Sequence, residues 1–271
     1  VSPDSVPRIE HISASNGPRL AVQVTGDHPS VLLLPGSSST SAVWLPVLAA
    51  LADIGVEAAA MDLRGHGQSG GRDKLHSWRI EDYVNDVLAA LRRWESIRIL
   101  VGHSMGGLVA QLVAGEAALD RLVLVAPSPT EGMLRNGIRM AIAHPWTFAA
   151  AYLQRSFKRL YANRRVARAL LFHPNGREEI VDRHLATVEE ESWLAGNEMT
   201  SLLPDPSRVK CAVTVIAGER DFMVDRRATE RTARDYGTVL RVFAGCGHMV
   251  PIEADAAELA RAIVGPAAGL S

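Results

Sequence analysis

Cysteine is nearly absent: the 271-residue chain has two, Cys211 and Cys246. They form neither a disulfide framework nor a metal-ligand spacing, so a reducing cytoplasm is the expected compartment and no metal or other cofactor is expected. An excess of charge of one sign is also missing. Lys and Arg total 29 against 30 Asp and Glu, a net charge of −1, which leaves no global footprint for nucleic acid. No apolar run reaches the roughly 18 residues of a transmembrane span. The first residues, Val1–Pro7, are polar and proline-punctuated, unlike a secretory signal. The chain opens on Val1 rather than Met, so a leader removed upstream stays compatible with it. No internal repeat or low-complexity tract is visible.

The chain does contain a regular alternation of strand-like and helix-like segments, at a length that suits one large α/β domain. Strand-like segments fall at 8–13, 20–25, 31–34, 56–61, 97–101, 122–125, 213–217 and 239–243, with a hairpin signal at Asn16-Gly17. Helical segments fall at 42–54, 80–94, 226–236 and 252–264. The alternation breaks between Thr130 and Asp205, a helix-like stretch holding half of the aromatics. The expected architecture is an α/β core formed by 1–129 and 206–271, with 130–205 inserted as a helical cap.

One pentapeptide stands out. Gly102-His103-Ser104-Met105-Gly106 follows the apolar run 97–101 and precedes an Ala/Leu/Val-rich helical run. As a bare string, G-x-S-x-G arises by chance in roughly one chain in ten of this length. Between a strand and a helix it predicts a nucleophile elbow, a tight turn that presents the Ser104 hydroxyl and places the Met105 amide beside it at a helix N-terminus.

A serine nucleophile needs a base and an acid to orient that base. In an open parallel sheet both belong at the C-terminal ends of strands. His248 meets this rule, in the loop leaving 239–243. His11, His28, His144, His173 and His184 lie in or before strands or in the inserted stretch, and His103 is expected to pack within the elbow and to border the pocket. Asp221 follows 213–217 and is the preferred acid. Asp225 could reach the same loop but reads as a helix N-cap, and Asp120 precedes its strand. A second oxyanion amide should come from Pro35-Gly36-Ser37-Ser38-Ser39-Thr40, with Ser37 preferred and Ser38 next.

With these residues in place, the chain resembles the α/β-hydrolase fold superfamily, in its serine-nucleophile esterase and monoacylglycerol-lipase-like branch. Asp62-Leu63-Arg64-Gly65-His66-Gly67-Gln68-Ser69 looks like the D-x-R-G-H-G-x-S loop of the esterase, monoacylglycerol-lipase-like and C–C-hydrolase branches. The resemblance implies an α/β-hydrolase fold: a mostly parallel eight-stranded sheet, helices on both faces, and a cap inserted after the strand that follows the elbow. It gives the motif loop an architectural role, so His66 is not assigned to catalysis. Serine at 104 departs from the dehalogenase and epoxide-hydrolase mechanism, which needs a carboxylate there. Pro35-Gly36 stands where the family usually has His-Gly.

The implied activity is hydrolysis of a carboxylic ester, lactone or thioester with a hydrophobic acyl or alcohol part. The alternatives are C–C bond hydrolysis, acyl transfer or a biosynthetic cyclisation or elimination on the same three residues, and then a non-enzymatic ligand receptor. The expected pocket includes Ser38, His103, Trp146, Tyr152 and Met249. From Gly132 to Arg177 there is no Asp or Glu and there are nine cationic residues. They read either as a solvated face balanced by Glu189-Glu190-Glu191 or as an attractor for an anionic or carrier-bound substrate. The expected partner is a small molecule; the oligomeric state is open.

Overall fold

A computed structural model describes residues 7–14 and 17–265. Eight strands form one sheet: β1 (Arg8–Ser13), β2 (Arg19–Val24), β3 (Val31–Leu34), β4 (Ala58–Met61), β5 (Ile99–His103), β6 (Arg121–Val125), β7 (Ala212–Gly218) and β8 (Leu240–Phe243). Their order is β1-β2-β4-β3-β5-β6-β7-β8. Only β2 runs against its neighbours; β4-β3-β5-β6-β7-β8 pair in parallel. The continuous apolar sequences of β3 and β4 fit this placement, because a strand covered on both faces has no polar side. The hairpin signal falls partly on Asn16, outside the described residues. Gly17 N donates to Ala14 O across that connection (3.2 Å).

The core helices are α1 (Leu45–Asp53), α2 (Ile80–Arg93) and α3 (Met105–Ala114). Five more, α4 (Leu134–Ala143), α5 (Pro145–Gln154), α6 (Arg164–Leu171), α7 (Glu178–Leu185) and α8 (Trp193–Glu198), lie between β6 and β7. The chain ends with α9 (Arg226–Asp235), α10 (Val250–Glu253) and α11 (Ala256–Val264). No helix among the described residues is long and apolar enough to cross a membrane.

Two helices expected as single pieces are divided. Pro46 has no N–H to return to residue 42, so Ser41–Trp44 forms a 3-10 turn before α1. Asp255 takes an extended conformation and caps Glu258 N (2.8 Å), which separates α10 from α11. In the middle of the sheet, β5 extends past Val101, because its ladder with β6 continues through Gly102–Leu124 and His103–Val125. The elbow is therefore the last rung of a central strand.

The Asp62–Ser69 loop is fixed from several sides. Arg64 makes paired contacts to Asp86 (2.8 and 2.5 Å) and one to Asp82 (2.9 Å), and its guanidinium lies over Trp78. Asp62 accepts from Ser41 N and Gln68 N, while Ser69 Oγ donates to Asp62 O and accepts from Ala21 N. The loop thus joins β2, β4, α2 and the turn before α1.

Candidate active site

Ser104 sits at φ 53°, ψ −117°, a left-handed conformation that costs a non-glycine residue energy and needs surrounding structure to hold it. Its neighbours supply that structure. Ser104 N donates to Val125 O (3.1 Å), and Ser128 N and Gly107 N donate to Ser104 O (3.0 and 2.9 Å). The flanking glycines are required by close approach. A Cβ on Gly102 would lie 2.2 Å from Gly106 O, and one on Gly106 would lie 2.3 Å from Pro35 O.

His248 Nε2 is 3.0 Å from Ser104 Oγ, and His248 Nδ1 is 2.9 Å from Asp221 Oδ2. All three side chains are buried. The other Asp221 oxygen accepts from Val224 N (2.9 Å), which fixes the carboxylate plane. Asp225, the alternative acid, caps α9 through Ala228 N (2.9 Å). The serine, histidine and aspartate are thus brought into one line by the ends of β5, β8 and β7.

Met105 is the first residue of α3, so its amide is an orphan donor at a helix N-terminus. Across the cleft, Ser37 and Ser38 follow β3. Ser38 N donates to Glu191 Oε2 (3.0 Å), so that amide is already engaged. Among the described residues none accepts from the Ser37 amide.

A cavity opens at Ser104, lined by residues of the loop after β3, of α4, α5, α7 and α8, by Met133 just before α4, and by Phe157 and Leu160 in the 3-10 turn that follows α5. Ser37, Ser38, His103, Tyr152 and Met249 lie on its wall. Trp146 does not, contrary to expectation, and is 86% exposed. The helical period explains the difference. Phe148, Ala151 and Tyr152 share the inward face of α5, whereas Trp146 and Leu153, seven residues apart, share the outward one. Among the described residues no Lys or Arg lines the cavity.

Nothing local to His184 places it here, yet it lies on the cavity wall, and burial together with nearby His248 pushes its imidazole down to about 4. Burial, reinforced by His248, also pushes His103 well below its usual value. His103 is neutral, and its Nε2 donates to His248 O (3.0 Å).

The Glu189–Glu191 run does not balance the cationic stretch. Glu178 and Asp182 pair with Arg164, and Glu178 with Arg168. The run turns to the core instead. Glu189 pairs with Arg72, Glu190 accepts from Ser156 Oγ, and Glu191 is fully buried beside His66. A run of three acidic residues reads as solvated, and only tertiary packing reveals that its last member is interior. Among the described residues no group of three His, Cys, Asp or Glu side chains is placed to hold a metal ion.

Known proteins share parts of this chain. It is 26% identical over 229 residues, 79% of either chain, to 2-(acetamidomethylene)succinate hydrolase of Mesorhizobium japonicum. It is 33% identical over 105 residues, 38% of its length, to epoxide hydrolase 3 of Siraitia grosvenorii. The chain spans about a third of the length of this and the other epoxide and carbamate hydrolases it matches. In three dimensions it resembles an esterase of Exiguobacterium antarcticum, with a TM-score of 0.75 at 16% identity over 94% of this chain and 97% of the other. Residues 31–262, from β3 into α11, match the alpha/beta hydrolase family, and the chain belongs to that family.

Proposed function

We propose that the chain is a serine hydrolase acting on a carboxylic ester, lactone or thioester with a hydrophobic acyl or alcohol part, and that residues 130–205 act as its cap over a core of 1–129 and 206–271. The observation that carries this reading is the line from Ser104 Oγ through His248 to Asp221, with separations of 3.0 and 2.9 Å, opening onto an apolar cavity. His248 Nδ1–H donates to Asp221, which leaves the Nε2 lone pair facing the serine hydroxyl. As Ser104 Oγ adds to the substrate carbonyl carbon, Nε2 takes its proton and Asp221 stabilises the imidazolium. The oxyanion lies at the amides of Met105 and Ser37. Collapse expels the alcohol, which takes the proton from Nε2, and a water molecule repeats the sequence on the acyl-enzyme.

The wall composition narrows the substrate. The cavity has Phe, Met, Leu and Val side chains and no cation, so the group seated there is uncharged and apolar. The nearby Lys158, Arg159 and Arg164 border a separate shallow recess beyond Tyr161 and Val188. An anionic or carrier-bound tail would therefore lie outside the Ser104 cavity. Serine at 104 gives no carboxylate for the alkyl-enzyme chemistry expected of an epoxide hydrolase.

The test is labelling by a fluorophosphonate beside a chain-length panel of nitrophenyl esters, with Ser104→Ala as control. Labelling and ester turnover that both vanish in Ser104→Ala support the reading. Labelling without turnover of any ester would move the reaction to C–C cleavage, acyl transfer or cyclisation. No labelling of the wild-type chain would leave a ligand receptor.

A further inference from the structure

Ser38 is held by its backbone from both sides by one short segment. Its amide donates to Glu191 Oε2 (3.0 Å), and its carbonyl accepts from Glu189 N (3.0 Å). Ser38 itself takes φ +60°, a conformation that a serine does not keep without support. The segment that grips it is the stretch between α7 and α8. The loop after β3 and the segment between α7 and α8 thus meet at one residue, next to Ser37, which lines the cavity at Ser104.

Glu191 is anchored for this task. Its side chain is fully buried, accepts from Tyr83 Oη (2.7 Å) and from Ser192 N (2.7 Å), and lies 3.4 Å from His66 Nε2 in an ion-pair contact. His66 Nδ1 in turn donates to Arg64 O (3.1 Å). Glu189, beside it, accepts from Gly67 N (2.8 Å) and pairs with Arg72. The Asp62–Ser69 loop, α2 and the oxyanion loop therefore converge on one carboxylate. Burial alone would raise that carboxyl. The His66 charge, with hydrogen bonds from Tyr83 and Ser38, overcomes the penalty and holds it below the usual carboxylate range. A buried ionic group of this kind is expensive to keep, and it gives more to geometric specificity than to net stability.

We propose that Glu191 is a positioning residue for oxyanion stabilisation: by fixing the Ser38 amide it aims the preceding amide, Ser37 N–H, at the oxygen that develops charge on the substrate. This rests on Ser104 being the nucleophile. An amide donor that is misaimed acts on the transition state and not on the bound ester, so its loss lowers kcat and spares KM.

The experiment uses the purified full chain with Glu191→Gln and Glu191→Ala. It measures kcat and KM on a nitrophenyl ester, inhibition by a trifluoromethyl ketone that forms a tetrahedral adduct, and inhibition by an unreactive alcohol of the same shape. We expect kcat to fall about ten- to a hundredfold in Glu191→Ala, less than or equal to the cost of deleting an oxyanion donor outright. Ketone affinity should fall in step, with KM and alcohol affinity within about threefold, and Glu191→Gln, which keeps one acceptor oxygen, should recover part of the loss. Equal losses in kcat and in alcohol affinity, or no loss in a folded Glu191→Ala, overturns the proposal.

Hydrogen exchange on the wild-type chain gives a second measurement that does not depend on the variants folding. Peptides covering 36–41 and 187–192 should be protected together and open together. Independent, rapid exchange of 36–41 also overturns the proposal. If the wild type is not labelled by a fluorophosphonate at all, it is the assignment of Ser104 that has failed, a result separate from these.

Discussion

The imidazole Nε2 of His103 lies 3.0 Å from the carbonyl oxygen of His248, so the residue just before the elbow serine holds the backbone of the histidine that faces it. The two rings are 4.9 Å apart between centroids. Because burial keeps His103 neutral, this contact is an N–H donor to a carbonyl and does not change with protonation near neutral pH. Replacing His103 with Phe removes the donor while filling the space. The expected result is a drop of about tenfold in kcat with KM within about twofold, since a small displacement of a reacting group is costly. His103→Gln, which can still donate, should retain most of the activity. Steady-state kinetics on an ester substrate checks both.

Acid should destabilise the fold through the two buried neutral imidazoles. His184 is pushed down to about 4 and His103 also lies low, while in the unfolded chain both return to about 6.5. The unfolded state then binds more protons, so this stability is fully present above about 6.5 and is lost as pH falls towards about 4. For His184 the loss is on the order of 3 kcal/mol at most. Denaturant unfolding between these pH values should show the slope, and His184→Leu should reduce it.

Alkali acts through His66. Beside Glu191 its imidazole is raised to about 9 despite the burial that opposes it. Its contribution is fully present below about 6.5 and is lost as pH rises towards about 9, because the folded state holds a proton that the unfolded chain has given up. The midpoint of thermal unfolding should fall by several degrees across that interval. In His66→Gln the alkaline decline should be absent; a decline of the same size there would remove His66 as its source.

Much of this arrangement was legible because local rules and tertiary structure agree. The apolar runs of β3, β5 and β6 read as buried strands, and Gly102–Gly106, set between such a run and a helical one, reads as a turn that brings serine to a strand end. His248 and Asp221 follow the next strand ends by the same topological rule. The unread parts depend on contacts distant in sequence. Glu191 looks like surface because its two neighbours are also acidic, and nothing local announces that His66, Tyr83 and Ser38 will surround it. Aromatic content alone does not place Trp146; the phase of α5 does, and it turns that ring outward. Balance of the cationic stretch by Glu189–Glu191 is not what the fold provides: Arg164 and Arg168 pair instead with Glu178 and Asp182, just beyond its end.

The elbow glycines allow a sharp test of the close approach that this topology imposes. A methyl group on Gly106 would lie 2.3 Å from Pro35 O, and the nearby atoms are backbone that cannot rotate away. Gly106→Ala should therefore cost more than about 3 kcal/mol of stability, or yield insoluble protein, the range reserved for severe overpacking. Gly137→Ala is the control. A Cβ there meets nothing within 4 Å, and an alanine in the middle of α4 should be neutral or slightly stabilising. Equal behaviour of the two variants in denaturant unfolding would contradict the packing described at the elbow.

The two faces of α5 separate substrate contact from mere aromatic content. Tyr152 lines the cavity and meets the Trp193 ring edge-on, with centroids 5.3 Å apart, whereas Trp146 faces away and is 86% exposed. Tyr152→Ala removes apolar area that an acyl or alcohol chain would cover, so KM for hydrophobic nitrophenyl esters should rise several-fold, more for longer chains than for acetate. Trp146→Ala should leave kcat/KM within about twofold across the same series and change stability by no more than about 0.5 kcal/mol. A chain-length-dependent loss in Trp146→Ala would mean that the substrate extends over the outer face of α5. The apolar binding surface would then have to include Leu153, which shares that face.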